Sequence, residues 1–203
     1  MSPVIYGTKP PTHTRPDKDA YVTPQALADA AVVYLVQNWL PDAAYRDPDS
    51  ILDTGAGTGV WGTAWRNYTN AGYLRGIEVR ELSKPNDYDD WVVADFLEWQ
   101  PDSMRYSIIL GNPPFSQAEA FIRRSLGLLS PQGVLLYLLP SGFQHGERRG
   151  RGLFAETPPT EVVSLCQRPN FAGMGNQNVN DYILLIWTGK YDGPSLHGWL
   201  DWK

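Results

Sequence analysis

The chain has 203 residues, of which 42% are hydrophobic and 19% charged, and a formal net charge of −5. That hydrophobic content excludes a disordered chain, and the single cysteine, Cys166, excludes an intramolecular disulfide framework and a multi-cysteine zinc site. The acidic balance supplies no long-range attraction to a phosphate backbone, so any nucleic-acid contact has to be local. No run reaches the roughly 20 apolar residues of a membrane span, and the N-terminus lacks the basic-then-apolar order of a secretory signal. These features predict a cytoplasmic protein without a membrane partner. Cys166 is expected to be buried beside Val162 and Val163.

Residues 1–20 hold Pro3, Pro10, Pro11 and Pro16 among polar groups and predict an extended N-terminal arm. Residues 21–203 read as a single domain. Thr23 suits a helix N-cap and Pro24 the first helical position, after which Leu27, Ala30, Ala31, Tyr34 and Leu35 recur at helical spacing until Pro41. Short apolar runs then predict strands at 50–54, 73–79, 91–94, 106–110, 134–139, 161–166 and 182–187. Helices are predicted between them at 60–68, 116–129 and 147–154. The run 134–139 is apolar throughout, as in a strand covered on both faces, so the sheet is expected to be mainly parallel. Only a Gly- and Asn-rich loop joins the last two strands, which predicts that they pair antiparallel. Asp87, Asp89 and Asp90 lack the glycine and glutamate of a calcium loop and read as a solvated turn. No residue pattern indicates a metal site.

The first strand leads into Asp53-Thr54-Gly55-Ala56-Gly57-Thr58-Gly59 and then a helix. Glycines there let the backbone turn sharply and approach a ligand at the strand's carboxyl end. Position 60 is Val, which departs from a dinucleotide fingerprint. Glu78 closes the second strand, where a carboxylate can accept both hydroxyls of a ribose, and Asp95 with Phe96 closes the third. This arrangement resembles the class I S-adenosylmethionine-dependent methyltransferases. The resemblance implies a Rossmann-like α/β fold with a seven-stranded, mostly parallel sheet, an antiparallel last strand and helices on both faces. It implies S-adenosyl-L-methionine as cofactor, with Asp53, Gly55, Gly57 and Gly59 in the cofactor loop and Glu78 on the ribose. Asp95 then meets the adenine amino group and Phe96 packs on its ring; Asp95 also suits a helix N-cap.

The fourth strand ends in Asn112-Pro113-Pro114-Phe115. Two prolines force the chain out of the sheet and free carbonyl acceptors, Asn112 adds a side-chain oxygen, and Phe115 adds a flat face. Two acceptors on one amino group draw its lone pair out of conjugation, so that it can attack a methyl group in line. The tetrapeptide resembles the catalytic motif of N6-adenine DNA methyltransferases, and a related form occurs in protein-glutamine N5 methyltransferases. In the adenine enzymes Tyr21, Thr23 and Pro24 match the N-terminal cofactor motif near the methionine end of the cofactor. Asn112 would also border the cofactor, and Phe171 would offer a second face to a flipped base or serve as core. Arg148, Arg149 and Arg151 are phosphate-contact candidates or a solvated basic helix start. The resemblance thus implies methylation of adenine N6 in DNA. Adenine in RNA, a protein glutamine or a non-catalytic methyltransferase-like subunit are the alternatives. The larger members carry a separate target-recognition domain, which is not expected here; recognition would fall to the loops 141–154 and 167–180 or to a partner subunit.

Overall fold

Strands that are apolar on both sides need cover on both sides, and that requirement organises the molecule. The computed structural model describes residues 21–40, 50–69, 72–101, 104–171, 180–189 and 191–203. The arm expected at 1–20 lies outside these residues, as does the stretch 172–179. The helices are α1 (Gln25–Trp39), α2 (Val60–Tyr68), α3 (Ala118–Leu128), α4 (Glu147–Arg151) and α5 (Leu153–Glu156). The strands are β1 (Ser50–Thr54), β2 (Tyr73–Glu78), β3 (Asp90–Val93), β4 (Tyr106–Gly111), β5 (Leu129–Pro140), β6 (Glu161–Leu165), β7 (Tyr182–Thr188) and β8 (Leu196–Leu200). Alternate residues of each central strand feed two separate cores. Ile51, Ile108 and Leu136 pack with Leu27, Leu35 and Trp65 from α1 and α2. Leu52, Ile109 and Leu135 pack on the opposite face with Phe121 and Ile122 of α3. The expected Rossmann-like fold with helices on both faces is therefore present. No helix among the described residues is long and apolar enough to cross a membrane.

The eight strands lie in the order β3-β2-β1-β4-β5-β7-β6-β8. β7 runs antiparallel to both β5 and β6, as the loop before it predicts. The chain moves from β1 outward to β2 and β3 and then returns to β4 on the other side of β1. Ligands of open α/β sheets bind at the carboxyl ends of strands beside such a reversal. Parallel register there sets Asp53 beside both Gly76 and Leu110, so the segments following β1, β2 and β4 emerge at one edge.

Three expectations need correction. The sheet has an eighth strand, β8, parallel to β6; in its sequence, Leu-His-Gly-Trp-Leu, His197 and Gly198 break the apolar residues apart, so no continuous apolar run announced it. The helix expected at 147–154 is interrupted at Gly152 into α4 and α5. Cys166 is exposed: it follows the end of β6, where its amide donates to the Leu200 carbonyl at 2.9 Å without covering the side chain. Trp39 and Tyr34 attach α1 to the sheet. Buried Glu161 accepts from Trp39 Nε1 at 2.7 Å and from the Tyr34 hydroxyl at 2.5 Å, anchoring α1 over β6.

Candidate functional site

The glycine loop after β1 is held by its own backbone. Gly55, Gly57 and Gly59 have φ of 72°, 60° and 88°, a left-handed region that side chains disfavour. The amides of Gly55 and Ala56 both donate to the Ile77 carbonyl, at 2.9 and 2.8 Å. Gly57 N–H donates to Glu78 Oε2 at 2.7 Å, while Arg80 donates to Oε1 from its amide at 3.0 Å and from Nε at 2.6 Å. Burial alone would raise the Glu78 carboxyl, but the Arg80 and Gly57 donors prevail and hold it below the usual glutamate value.

A cavity of about 610 Å³ opens at this edge. Tyr21 and Thr23 line it from the N-terminal side, Gly55 and Gly57 from the loop, Glu78 from β2, and Asp95 and Phe96 from the segment after β3. Asn112 and Pro114 complete it after β4. The structure thus brings together residues as far apart in the chain as Tyr21 and Asn112, whose side-chain amide reaches the Tyr21 carbonyl. Asp95 borders the cavity, and its Oδ1 accepts from Leu97 N–H at 2.9 Å; residues 96–98 form a turn, so the helix N-cap expected there has no helix to cap. Phe96 is buried against Phe121 at 4.9 Å between ring centroids.

Asn112 is fixed in orientation. Its Nδ2 donates to the Tyr21 carbonyl at 3.2 Å and to Thr23 Oγ1 at 3.3 Å. A backbone carbonyl only accepts, so the amide nitrogen must face it and the side-chain oxygen is left over. That Oδ1 is buried and has no hydrogen-bond partner among the described residues.

Other expected residues stand away from the cavity wall. Asp53 is fully buried beneath the loop, where its Oδ2 accepts from the Tyr88 hydroxyl at 2.5 Å. Burial lifts its carboxyl to about 7; the Tyr88 hydrogen bond opposes that rise and the Glu78 charge adds to it. Gly59 turns toward Pro85 and Tyr88, and Pro113 is buried. Pro24 is the N-cap of α1, one place later than expected, its carbonyl accepting from Leu27 and Ala28, while the Thr23 hydroxyl accepts from Asn112 instead of capping the helix. Phe115 is half-buried and stacked on Tyr21, with centroids 5.5 Å apart and planes at 15°. Phe171 is fully buried, packed 6.0 Å from Tyr21 and 5.0 Å from Tyr182, so the core alternative holds and it offers no open second face. Arg149 is committed locally, donating to the carbonyls of Phe143 and His145, both at 2.6 Å. Arg148 and Arg151 are 90% and 82% exposed, though each meets a carboxylate, Glu119 at 3.5 Å and Glu147 at 2.9 Å.

Sequence reasoning misses Arg80, Trp61 and Val79 in the lining. Arg80 has a local cue, since a cation two residues beyond a strand-ending acid can fold back onto it. The Asp87 to Asp90 turn is also more than a solvated surface. Asp87 accepts from Thr63 Oγ1 at 2.6 Å, Asp89 pairs with Arg66 at 2.6 Å, and Asp90 pairs with Arg75 at 2.7 Å.

No family model matches the chain. A type II methyltransferase, M.CvrRI of Paramecium bursaria Chlorella virus XZ-6E, is 28% identical over 105 residues, which are 50% of this chain and 25% of that protein. The matched segment is thus a quarter of that relative's length. Among solved structures, a candidate class I S-adenosylmethionine-dependent methyltransferase of Listeria monocytogenes superposes with a TM-score of 0.67 at 14% identity, over 93% of this chain and 68% of its own. The M protein of the type I restriction enzyme EcoKI superposes at 0.60 with 14% identity, over 83% and 44%. Magnesium protoporphyrin IX methyltransferase of Synechocystis PCC 6803, solved with bound S-adenosylmethionine, superposes at 0.53 with 13% identity, over 81% and 79%.

Proposed function

We propose that this chain, which has the class I S-adenosylmethionine-dependent methyltransferase fold, is an enzyme using S-adenosylmethionine to methylate the N6 amine of adenine in DNA. The unpartnered, orientation-locked Oδ1 of Asn112 carries this reading. An unpaired buried acceptor costs about 1–3 kcal/mol, a cost that an incoming N–H relieves.

The residues present fit the cofactor. The cavity is within the range of small-molecule sites, and ionised Glu78 borders it at a strand end where it can take ribose hydroxyls. Asp95 and Phe96, which also line the cavity, are assigned to the adenine, and Tyr21 and Thr23 to the methionine end. S-adenosylmethionine, when bound, supplies an electrophilic methyl group on a sulfonium sulfur. The chain's part is orientation and electrostatics. Asn112 Oδ1 accepts from the target amine and helps withdraw the nitrogen lone pair from its ring toward the methyl group. The amide is too weak a base to keep a proton, so the amine's surplus proton leaves to solvent after transfer. Phe115 is the stacking platform, and Tyr21, which covers its face, gives way to the base or moves to its other side. A duplex substrate pays a few kcal/mol to extrude its adenine, partly returned by that stacking. Arg148 and Arg151 contact phosphates; Arg149 supports the loop instead. The weak likeness to the type II methyltransferase supports DNA over other pools.

The test is transfer of a tritiated methyl group to separate DNA, RNA and protein pools, followed by nucleoside and amino-acid analysis. N6-methyladenine from DNA is expected. Label appearing only in RNA or as N5-methylglutamine would redirect the substrate, and no binding of S-adenosylmethionine would leave a non-catalytic subunit.

A further inference from the structure

Beneath the cofactor loop lies a group that the proposed chemistry does not use. Tyr88 sits between β2 and β3 and is 2% exposed, yet its hydroxyl has two partners. It donates to Asp53 Oδ2 at 2.5 Å and accepts from Gly62 N–H at 3.0 Å. Gly62 lies in the first turn of α2, where backbone N–H groups have no partner within the helix. A Ser, Thr, Asp or Asn at the N-cap would ordinarily satisfy one of them, but the N-cap here is Gly59, which has no side chain to do so. Tyr88 supplies the missing acceptor from another part of the chain.

The ring is as closely fitted as the hydroxyl. A Cβ on Gly59 would lie 3.0 Å from Tyr88 Cε2, one on Gly76 would lie 2.8 Å from Cε1, and one on Gly62 would overlap the ring. Three glycines, one each from the loop, α2 and β2, therefore leave room for this side chain. Trp91 closes its remaining side edge-on, with ring centroids 5.2 Å apart. The segment carrying Tyr88 is itself tied to α2, since Asp87 accepts from Thr63 Oγ1 and its carbonyl accepts from Arg66 Nε at 3.0 Å. The same segment starts with Glu78 and Arg80, which border the cavity.

We propose that Tyr88 is the positioning residue of the cofactor site, pinning the end of β1 to the start of α2 and thereby setting the glycine loop against Glu78. It touches no reacting atom. The inference rests on the reading of the cavity as the S-adenosylmethionine site. It assigns Gly62 and Gly76 a purpose that the glycine motif does not include.

The experiment compares Tyr88→Phe with Tyr106→Phe in the full chain. Tyr106 is also buried, in β4 on the opposite core, and its hydroxyl accepts from Arg75 Nη1 at 3.0 Å. Binding of S-adenosylhomocysteine is measured calorimetrically, and backbone amide exchange is followed at residues 55–62. Tyr88→Phe leaves the Gly62 N–H and the Asp53 carboxylate without this partner, and binding should weaken roughly 10- to 100-fold. Exchange at residues 55–62 should accelerate without added ligand. Tyr106→Phe should leave both readouts within about threefold of the wild type, because sites that share no partners act independently. Wild-type affinity and wild-type exchange in Tyr88→Phe overturn the proposal, as does an equal loss of affinity in Tyr106→Phe. If the wild-type chain does not bind the probe, the cofactor reading fails, and exchange at residues 55–62 alone decides the role of Tyr88.

Discussion

Replacing a helix-interior glycine by alanine ordinarily stabilises a protein, by roughly 1 kcal/mol. Gly62 in α2 should do the reverse. A methyl group built there lies 2.5 Å from Tyr88 Cε2 and closer still to Cζ and Oη, against about 3.5–4.0 Å for ordinary carbon contact. The ring must retreat by roughly 1 Å or more to restore that spacing, but it is clasped by Asp53, Trp91 and the amide of Gly62 itself. Overpacking of this kind costs about 1–3 kcal/mol, and straining two hydrogen bonds adds about 1–2 kcal/mol. After subtraction of the helix gain, Gly62→Ala should be destabilising by about 2 kcal/mol, a fall in Tm of about 4–8 °C for a chain of this size. Gly127 near the end of α3 provides the contrast, because a Cβ there meets nothing within 4 Å. Gly127→Ala should gain about 0.5–1 kcal/mol and raise Tm by about 1–4 °C. Thermal unfolding of the two variants beside the wild type makes the comparison. A rise in Tm for Gly62→Ala would refute the packing argument.

Asn112→Ala should keep cofactor affinity and lower turnover about 10²- to 10³-fold, as loss of a preorganised hydrogen-bonding group does; unchanged turnover in the methyl-transfer assay would remove Asn112 from the mechanism. Glu78→Gln should weaken S-adenosylmethionine binding about tenfold or more by calorimetry, and equal affinity would count against the ribose contact. Asp53 binds its proton up to about pH 7 in the folded chain but only to about pH 4 when unfolded. The native state thus holds the extra proton between those values, and stability falls as pH rises across that window. Urea titrations at pH 4 to 7 should show this slope in the wild type and not in Asp53→Asn. Glu78 acts in the opposite sense at lower pH, where protonation removes the stability of its Arg80 and Gly57 contacts. Arg148→Ala and Arg151→Ala should each reduce the salt dependence of DNA binding by about one phosphate contact, whatever the sequence; an unaltered slope would place the grip elsewhere.

The parallel core was legible because strands covered on both faces cannot hide a polar side. The run 134–139 has no alternation, and the structure places its residues in two cores in turn. β8 was illegible for the converse reason. It lies at the sheet's edge with four of its five residues not buried, and Gly198 is required by the approach of Tyr34 Oη and Glu161 Oε1. Motif spacing likewise located the cavity but did not separate its wall from its supports. Asp53 and Gly59 belong to the same short motif as Gly55 and Gly57, yet the turn directs them toward Tyr88. Tyr88 itself had no local cue, because what it satisfies is an N–H 26 residues earlier. Phe171 had the cue of an aromatic before the last hairpin, but only packing against Tyr21 and Tyr182 decided its burial.

The net charge of −5 bears on the site through where the charges fall. Among the described residues, the charged side chains lining the cavity are Glu78, Arg80 and Asp95, and Arg80 is paired with Glu78. The cavity is left with an acidic excess at Asp95, which suits a cationic sulfonium and opposes a polyanion. Cofactor and nucleic acid therefore need separate electrostatic surfaces on one small molecule. On the proposed function, Arg148 and Arg151 would meet the second need outside the cavity, where they are exposed and salt can screen them. Raising ionic strength should then release nucleic acid long before it releases S-adenosylmethionine, whose proposed partners, Glu78 and the glycine loop, line the cavity. Parallel loss of both ligands over the same salt range would mean that the two surfaces are one.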